Sequence, residues 1–244
     1  MKFDDKIWFE VVNNKKIFCV SAEPKKNQKR MVIMSHGFRG SSIGPAREFV
    51  DFGRLLVENG FSVLRFDQPN GGNSEGDYVD SSFNEWVATT KYLSLKYIDL
   101  GYKIALLGQS MGGATSVAAS TESELKEKIE CLLLWSPGDY DPMYNVNPED
   151  TYEENGQIYK GKFWHEVGDF KIKERLKWFN GGIHLVFGET DKFVSELSRK
   201  EFRDIVESKK EDFMLLLGQG HSSWEYKWAQ KVYQEEIKKL KKYF

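Results

Sequence analysis

The 244-residue chain has little of what defines several protein classes. It contains only two cysteines and four histidines, and its 35 basic and 37 acidic residues leave a net charge of −2. Cys19 and Cys131 lie in apolar runs without C-x-x-C spacing, which excludes a disulfide scaffold and indicates buried free thiols. No run approaches the roughly 18 apolar residues of a membrane-spanning helix. The near-balance of charge also gives no attraction to nucleic acid or to an anionic membrane. We therefore expect neither as a partner.

Signals for targeting, metals and cofactors are equally sparse. Asp4 and Asp5 stand where a signal peptide would be basic, and no long apolar segment follows, which predicts a cytoplasmic location. The glycine-rich segment 67–77 lacks the G-x-G-x-x-G pattern and the P-loop lysine. No histidine, cysteine or carboxylate cluster has the spacing of metal ligands. We expect no cofactor and no metal.

What the chain does have is a regular alternation of short apolar runs with helix-like segments. After an opening hairpin around Asn13-Asn14, these runs predict a mostly parallel sheet covered by helices on both faces, an α/β fold. The length suits a single domain, residues 1–244. The predicted helices are residues 45–59, 82–98, 110–121, 196–208 and 223–243.

The sequence Gly108-Gln109-Ser110-Met111-Gly112 follows one of the apolar runs and precedes a helix of small residues. In this G-x-S-x-G pattern, a serine sits on a sharp strand-to-helix turn with its hydroxyl exposed, and the glycines leave room for neighbouring backbone. Ser110 is therefore the candidate nucleophile. It requires a histidine base and an acid, expected downstream in the order acid, histidine.

Two later turns supply those groups. His221 follows an apolar run and two glycines, and we expect it to open the last helix and to act as the general base and acid. Asp191 follows an earlier run and would orient the imidazole, with Glu189 and Asp139 as rivals for that role. His184 and His165 fit structural or surface positions better.

A fourth turn, His36-Gly37-Phe38-Arg39-Gly40, follows the run that ends near Met34. The residue after the nucleophile and this turn would each provide one backbone N–H to an oxyanion hole, namely those of Met111 and Phe38. The Phe38 side chain would cap the acyl site. His36 is given a structural role.

Together these motifs resemble those of α/β-hydrolases, most closely small bacterial esterases of the feruloyl or cinnamoyl type and acylglycerol lipases. The resemblance rests on the His36 turn, Phe66-Asp67 with its glycine-rich loop, the Ser110 turn, Gly188-x-x-Asp191 and Gly220-His221. It implies an eight-stranded sheet whose second strand is antiparallel, and a triad of Ser110, Asp191 and His221.

Residues 139–180 break the alternation after the sixth strand and predict a small cap or lid. Asn155-Gly156 indicates a tight hairpin, and residues 171–179 look helical. The segment is rich in aromatic residues, which either line a pocket or provide packing area. We expect Trp164, Tyr144 and Phe163, with Phe38, to contact the substrate.

The predicted activity is hydrolysis of carboxylic esters with small or medium acyl or aromatic groups through an acyl-enzyme. Thioester or amide cleavage would use the same groups. A catalytically silent ligand-binding homologue is the alternative of another class. The sequence does not specify the oligomeric state.

Overall fold

The computed structural model describes residues 4–139 and 146–244. Its main feature is an eight-stranded sheet in the order β1-β2-β4-β3-β5-β6-β9-β10, in which β2 runs antiparallel to both of its neighbours and the other adjacent pairs are parallel. The strands are β1 (Lys6–Val12), β2 (Lys15–Ala22), β3 (Arg30–Ser35), β4 (Ser62–Phe66), β5 (Lys103–Gln109), β6 (Ile129–Trp135), β9 (Gly182–Gly188) and β10 (Asp212–Leu216). The predicted α/β fold, including its antiparallel second strand, is confirmed.

Helices cover both faces of this sheet. They are α1 (Glu48–Glu58), α2 (Phe83–Asp99), α3 (Met111–Ser120), α4 (Lys162–Phe170), α5 (Ile172–Trp178), α6 (Glu196–Ser208) and α7 (Tyr226–Tyr243). Alternate strand residues serve two cores: in β3, Met31 and Ile33 join one buried cluster, whereas Val32 and Met34 join the other. The second cluster contains α1 and α7, and the first contains the remaining helices. This two-sided burial explains why the strands read as continuous apolar runs.

Residues 139–180 contain one element more than the sequence indicated. The predicted hairpin is present as β7 (Thr151–Glu154) and β8 (Gln157–Lys160), with positive φ at both Asn155 and Gly156 as a type I′ turn requires. Two helices follow rather than one, because Lys171 takes a left-handed conformation (φ 49°) that separates α4 from α5. The side chain of Glu166 in α4 accepts a hydrogen bond from the Ser82 hydroxyl (2.7 Å) and so joins this segment to the start of α2.

The last helix begins later than expected. Ser223 has φ of 58°, which a right-handed helix cannot contain, and α7 starts at Tyr226. His221 therefore lies in a loop before the helix and does not open it. Across residues 4–139 and 146–244, no helix is both long and apolar enough to cross a bilayer.

Candidate active site

Ser110 occupies a strained turn between β5 and α3. Its φ of 56° and ψ of −124° are unusual for a residue with a side chain, and its N–H donates to the Trp135 carbonyl (2.9 Å). Glycine is required two residues later, because a Cβ on Gly112 would lie 1.9 Å from the Ser35 carbonyl oxygen. The close approach of this turn to the end of β3 thus accounts for the second glycine of the pattern, and a Cβ on the first, Gly108, would lie 2.1 Å from the Gly112 carbonyl oxygen.

His221 and Asp191 form a hydrogen-bonded pair at the ends of β10 and β9. The distance from His221 Nδ1 to Asp191 Oδ2 is 2.7 Å. The other oxygen, Oδ1, accepts the backbone N–H groups of Phe193 (2.8 Å) and Val194 (3.1 Å). Burial raises the Asp191 pKa, but the bond to His221, its charge and the two N–H donors outweigh burial and hold the pKa below its usual value. Asp191 is therefore a fixed carboxylate beside the imidazole.

The rival acids make other contacts. Glu189 accepts the Gly218 N–H (2.8 Å), and Asp139 lies 3.0 Å from the Lys173 ammonium. Of the three carboxylates, it is Asp191 that bonds His221. His165 bonds elsewhere, because its Nε2 lies 2.6 Å from the Val146 carbonyl oxygen.

The turn after β3 is fixed by His36, which is fully buried beside Trp86. His36 Nε2 accepts the Gln68 N–H (2.9 Å), so Nδ1 carries the proton and donates to the Gly37 carbonyl (2.8 Å). Burial, opposed by the Gly37 carbonyl and Asp67, lowers the His36 pKa and favours this neutral form. The Gly40 N–H also donates to the Gly37 oxygen (3.0 Å).

Fixing the Gly37 carbonyl fixes the Phe38 N–H, because the two belong to one trans peptide and point in opposite directions. The Met111 N–H is at the first position of α3, where no preceding helical turn supplies an acceptor. Within the described chain, neither N–H donates to another group. Met111 directly follows Ser110 in the chain. Phe38 lies in the turn after β3, which pairs with β5, the strand that ends just before Ser110.

Ser110, His221, Phe38 and Met111 line one cavity of about 470 Å³. Trp164 also lines it. The other lining residues include side chains from six parts of the chain: Arg39, Ser41, Pro45, Gln109, Asp139, Glu154, Val194, Ser195, Ser198 and Ser222.

Two of the residues predicted to contact the substrate are not among the described residues that line the cavity. Phe163 is fully buried and packs against Phe38, Phe83 and Trp86, with ring centroids 4.9, 5.9 and 5.1 Å away. It does not line the cavity, and its position is one of packing. Tyr144 falls outside the described residues.

Sequence reasoning missed several groups at this cavity. The Arg39 guanidinium bonds both the carbonyl (3.0 Å) and a carboxylate oxygen (2.9 Å) of Glu154, which links the turn after β3 to the β7–β8 hairpin. The Arg39 N–H donates to the Tyr78 hydroxyl (2.7 Å). These contacts join residues far apart in the chain, so no local pattern indicated them.

Phe193 was also missed. Its ring lies 5.1 Å from the His221 ring, centroid to centroid, and it lines the cavity while 56% exposed. The sequence signal that could have indicated Phe193 is its position two residues after Asp191.

No set of three histidine, cysteine, aspartate or glutamate side chains in residues 4–139 and 146–244 is arranged to hold a metal ion.

A mostly parallel sheet with a serine turn after β5 and an acid–histidine pair after β9 and β10 defines an α/β-hydrolase. More particularly, residues 26–151, over half of the chain, match the family model described as serine aminopeptidase, S33. The chain belongs to this family of hydrolases. No curated protein matched its sequence.

Solved structures support the fold over the full length. Est1E from Butyrivibrio proteoclasticus, solved with ferulic acid bound, is 19% identical with a TM-score of 0.77, covering 99% of this chain and 100% of its own. The monoacylglycerol lipase of Paleococcus ferrophilus is 18% identical with a TM-score of 0.74, covering 92% and 98%. The α/β-hydrolase GrgF from Penicillium sp. sh18 is 14% identical with a TM-score of 0.79, covering 100% and 99%. At these identities the likeness establishes the fold alone.

Proposed function

We propose that the protein is a carboxylesterase in which Ser110 is the nucleophile, His221 the general base and acid, and Asp191 the residue that orients His221. The observation that carries this proposal is the 2.7 Å bond between His221 and Asp191 at a cavity that His221 shares with the strained Ser110 turn. Because Asp191 accepts from Nδ1, Nε2 is the nitrogen left to take the serine proton.

In the proposed reaction, His221 accepts the Ser110 proton as Ser110 Oγ attacks the ester carbonyl carbon. The Phe38 and Met111 N–H groups stabilise the oxyanion. Collapse of this intermediate breaks the bond to the alcohol oxygen, which takes the proton from His221. Water then attacks the acyl-enzyme carbonyl carbon as it gives a proton to His221. Collapse of this second oxyanion breaks the bond to Ser110 Oγ, which takes that proton from His221, and the carboxylic acid is released.

We also infer that the chain forms one domain and that residues 139–180 act as a cap. Trp164 and Glu154, from two elements of this segment, line the cavity, which supports the inference. The ferulic acid bound to one neighbour, and the name monoacylglycerol lipase of another, favour a small-molecule ester carrying an aromatic or acyl group.

The family description makes amide cleavage the second candidate. An aminopeptidase needs a carboxylate free to bind the substrate ammonium. Among residues 4–139 and 146–244, two carboxylates line the cavity beyond the proposed triad, and both are paired: Asp139 with Lys173 (3.0 Å) and Glu154 with Arg39 (2.9 Å). This pairing favours the ester.

A fluorophosphonate probe followed by peptide mapping tests the proposal directly. We expect labelling at Ser110, hydrolysis of short-chain p-nitrophenyl esters, and loss of both in Ser110→Ala. Aminoacyl p-nitroanilides form the comparison arm. Ester turnover no faster than in Ser110→Ala would refute the esterase assignment, and preference for the anilides would favour the aminopeptidase.

A further inference from the structure

The leaving-group side of the cavity can be located from the chemistry of His221. The imidazole that takes the serine proton also returns a proton to the departing alcohol oxygen, so the alcohol must lie against His221 in the transition state. Residues that touch His221 and also line the cavity therefore contact the alcohol rather than the acyl group. This step rests on the proposed function.

Phe193 meets both conditions. Its ring centroid is 5.1 Å from that of His221 with the planes inclined at 52°, and the ring lines the cavity. Its backbone is held firmly, because its N–H donates to Asp191 Oδ1 at 2.8 Å. The same carboxylate thus holds both the Phe193 backbone and the imidazole.

Two apolar residues follow Phe193 in the chain. Val194 lines the cavity next to it, and Leu197, in the first turn of α6, is 67% exposed between the lining residues Ser195 and Ser198. Phe193 itself is 56% exposed. A large apolar surface left open beside a binding cavity gains stability when a ligand covers it.

The polar groups on this side are mostly engaged within the protein. The Ser195 hydroxyl accepts the Ser198 N–H at the start of α6 (3.3 Å), and the Ser198 hydroxyl lies 3.5 Å from the Lys173 ammonium. The charged cavity residues Arg39, Glu154 and Asp139 lie on the turn after β3, on β7 and after β6. Arg39 and Glu154 pair with each other, and Asp139 pairs with Lys173, whose ammonium also lies near Ser198.

We infer that Phe193, with Val194 beside it, forms an alcohol subsite, and that the preferred substrates are esters of apolar alkyl or aromatic alcohols rather than of glycerol or sugars. Phe193 determines this specificity because its ring contacts both the alcohol and His221. The acyl group lies on the opposite side of Ser110.

The test holds the acyl group constant and varies the alcohol. Butyrate esters of methanol, n-butanol, 2-phenylethanol and glycerol are compared by titrating the released acid, and kcat/KM is used because it includes the acylation step in which the alcohol leaves. We expect the 2-phenylethyl ester to exceed the glyceryl ester by about tenfold or more, the effect of burying one aromatic group. In Phe193→Ala, the 2-phenylethyl to methyl ratio should fall by about tenfold, and Phe193→Leu should restore part of it.

Phe9→Ala is the matched control, since Phe9 is 53% exposed on β1 and does not line the cavity. It should leave the ratio unchanged. A second readout is acyl transfer: added 2-phenylethanol should intercept the butyryl-enzyme better than glycerol does, and Phe193→Ala should abolish the difference.

The outcomes separate this inference from the esterase proposal. Absence of turnover on every ester and of probe labelling at Ser110 would reject the proposed function. A labelled, active enzyme that prefers the glyceryl ester, or a Phe193→Ala variant that loses activity equally on all four esters, would reject the alcohol subsite and leave the esterase assignment standing.

Discussion

At the scale of single residues, the site depends on groups that hold the surrounding backbone in position. The clearest is His36, whose Nδ1–H holds the Gly37 carbonyl at 2.8 Å and thereby directs the Phe38 N–H away from it. A backbone donor can stabilise an oxyanion only if its direction is fixed before the charge develops, because reorienting it during the reaction would consume the stabilisation. His36 is a positioning residue in this sense.

Replacing His36 tests the claim. Asparagine can place an amide N–H near the position of Nδ1 and keep the bond to Gly37, whereas leucine cannot. We expect His36→Leu to lower kcat about ten- to hundredfold, in the range of a weakened oxyanion donor, with a smaller change in KM. His36→Asn should retain more of kcat than His36→Leu.

Steady-state kinetics of both variants on one p-nitrophenyl ester, with circular dichroism to verify folding, test this prediction. If the two variants lose kcat equally while remaining folded, the Gly37 bond does not position the donor. A loss confined to KM would point instead to a change in cavity shape.

At the scale of elements, the turn after β3 is held by the segment 139–180. Arg39 bonds Glu154 of β7 through two oxygens, and the Phe38 ring contacts those of Tyr159 and Trp164 at centroid distances of 5.2 and 5.1 Å. The same turn supplies the Phe38 N–H. A displacement of the hairpin is therefore transmitted to a proposed oxyanion donor, which couples the position of this segment to the chemistry.

The Arg39–Glu154 pair is partly exposed, with side chains 20% and 35% accessible, so its contribution to folding is small. We expect Glu154→Ala to change the free energy of unfolding by less than about 1 kcal/mol. Hydrogen exchange at residues 38–40 and 151–160 should nevertheless become faster, and kcat/KM should fall severalfold. Glu124→Ala is the control, because its pair with Lys91 (2.9 Å) is a partly exposed pair outside both the Phe38 turn and the hairpin. Equal exchange in both variants would show that the pair does not fasten the turn.

The sequence predicted the elements whose signals are local. Apolar runs located the strands, and Asn155-Gly156 located the hairpin, because its backbone conformation favours those two residues. The residues Ser110, Asp191 and His221 could be named because each follows a strand in a parallel sheet, where such ends meet. Helix α4 was missed, since Gly161 gives it no side-chain cap to mark its start.

Contacts between segments far apart in the chain could not be predicted from the sequence. The Arg39–Glu154 pair and the approach of Phe193 to His221 depend on how turns from different elements fold over the cavity. Whether an aromatic residue such as Phe163 packs or lines a pocket depends on the same three-dimensional arrangement. Composition leaves both possibilities open.

At the scale of the whole molecule, the C-terminal helix is joined to the sheet by a polar group inside an apolar core. Glu236 of α7 is fully buried, accepts the Trp135 indole N–H of β6 (2.7 Å), and lies 2.9 Å from His184 Nδ1 of β9. Burial lowers the His184 pKa, but the Glu236 carboxylate outweighs burial, with a smaller effect in the same direction from Asp212 and an opposing one from Lys239, and the net shift is upward.

This upward shift makes the stability of the fold depend on pH in a definite direction. A histidine with a raised pKa in the folded state stabilises it fully below the unfolded value of about 6.5, and the stabilisation is lost as the pH rises through the folded value. Glu236→Gln keeps the acceptor for Trp135 but removes the charge beside His184. At pH 6 the variant should be less stable than the unmodified protein by about 1–3 kcal/mol, which lowers the thermal midpoint by roughly 2–10 °C. This difference in stability between the two proteins, the gap, should narrow by pH 9.

Glu235→Gln is the matched control for that experiment, because Glu235 is the adjacent residue of α7 and pairs with Lys238 on the surface (2.7 Å). It should shift the midpoint little and equally at both pH values. Thermal unfolding followed by circular dichroism at pH 6 and pH 9 provides the comparison. A gap for Glu236→Gln that stays constant or widens toward pH 9 would mean that His184 is neutral in the folded protein, and that the buried carboxylate is retained only as the acceptor for Trp135.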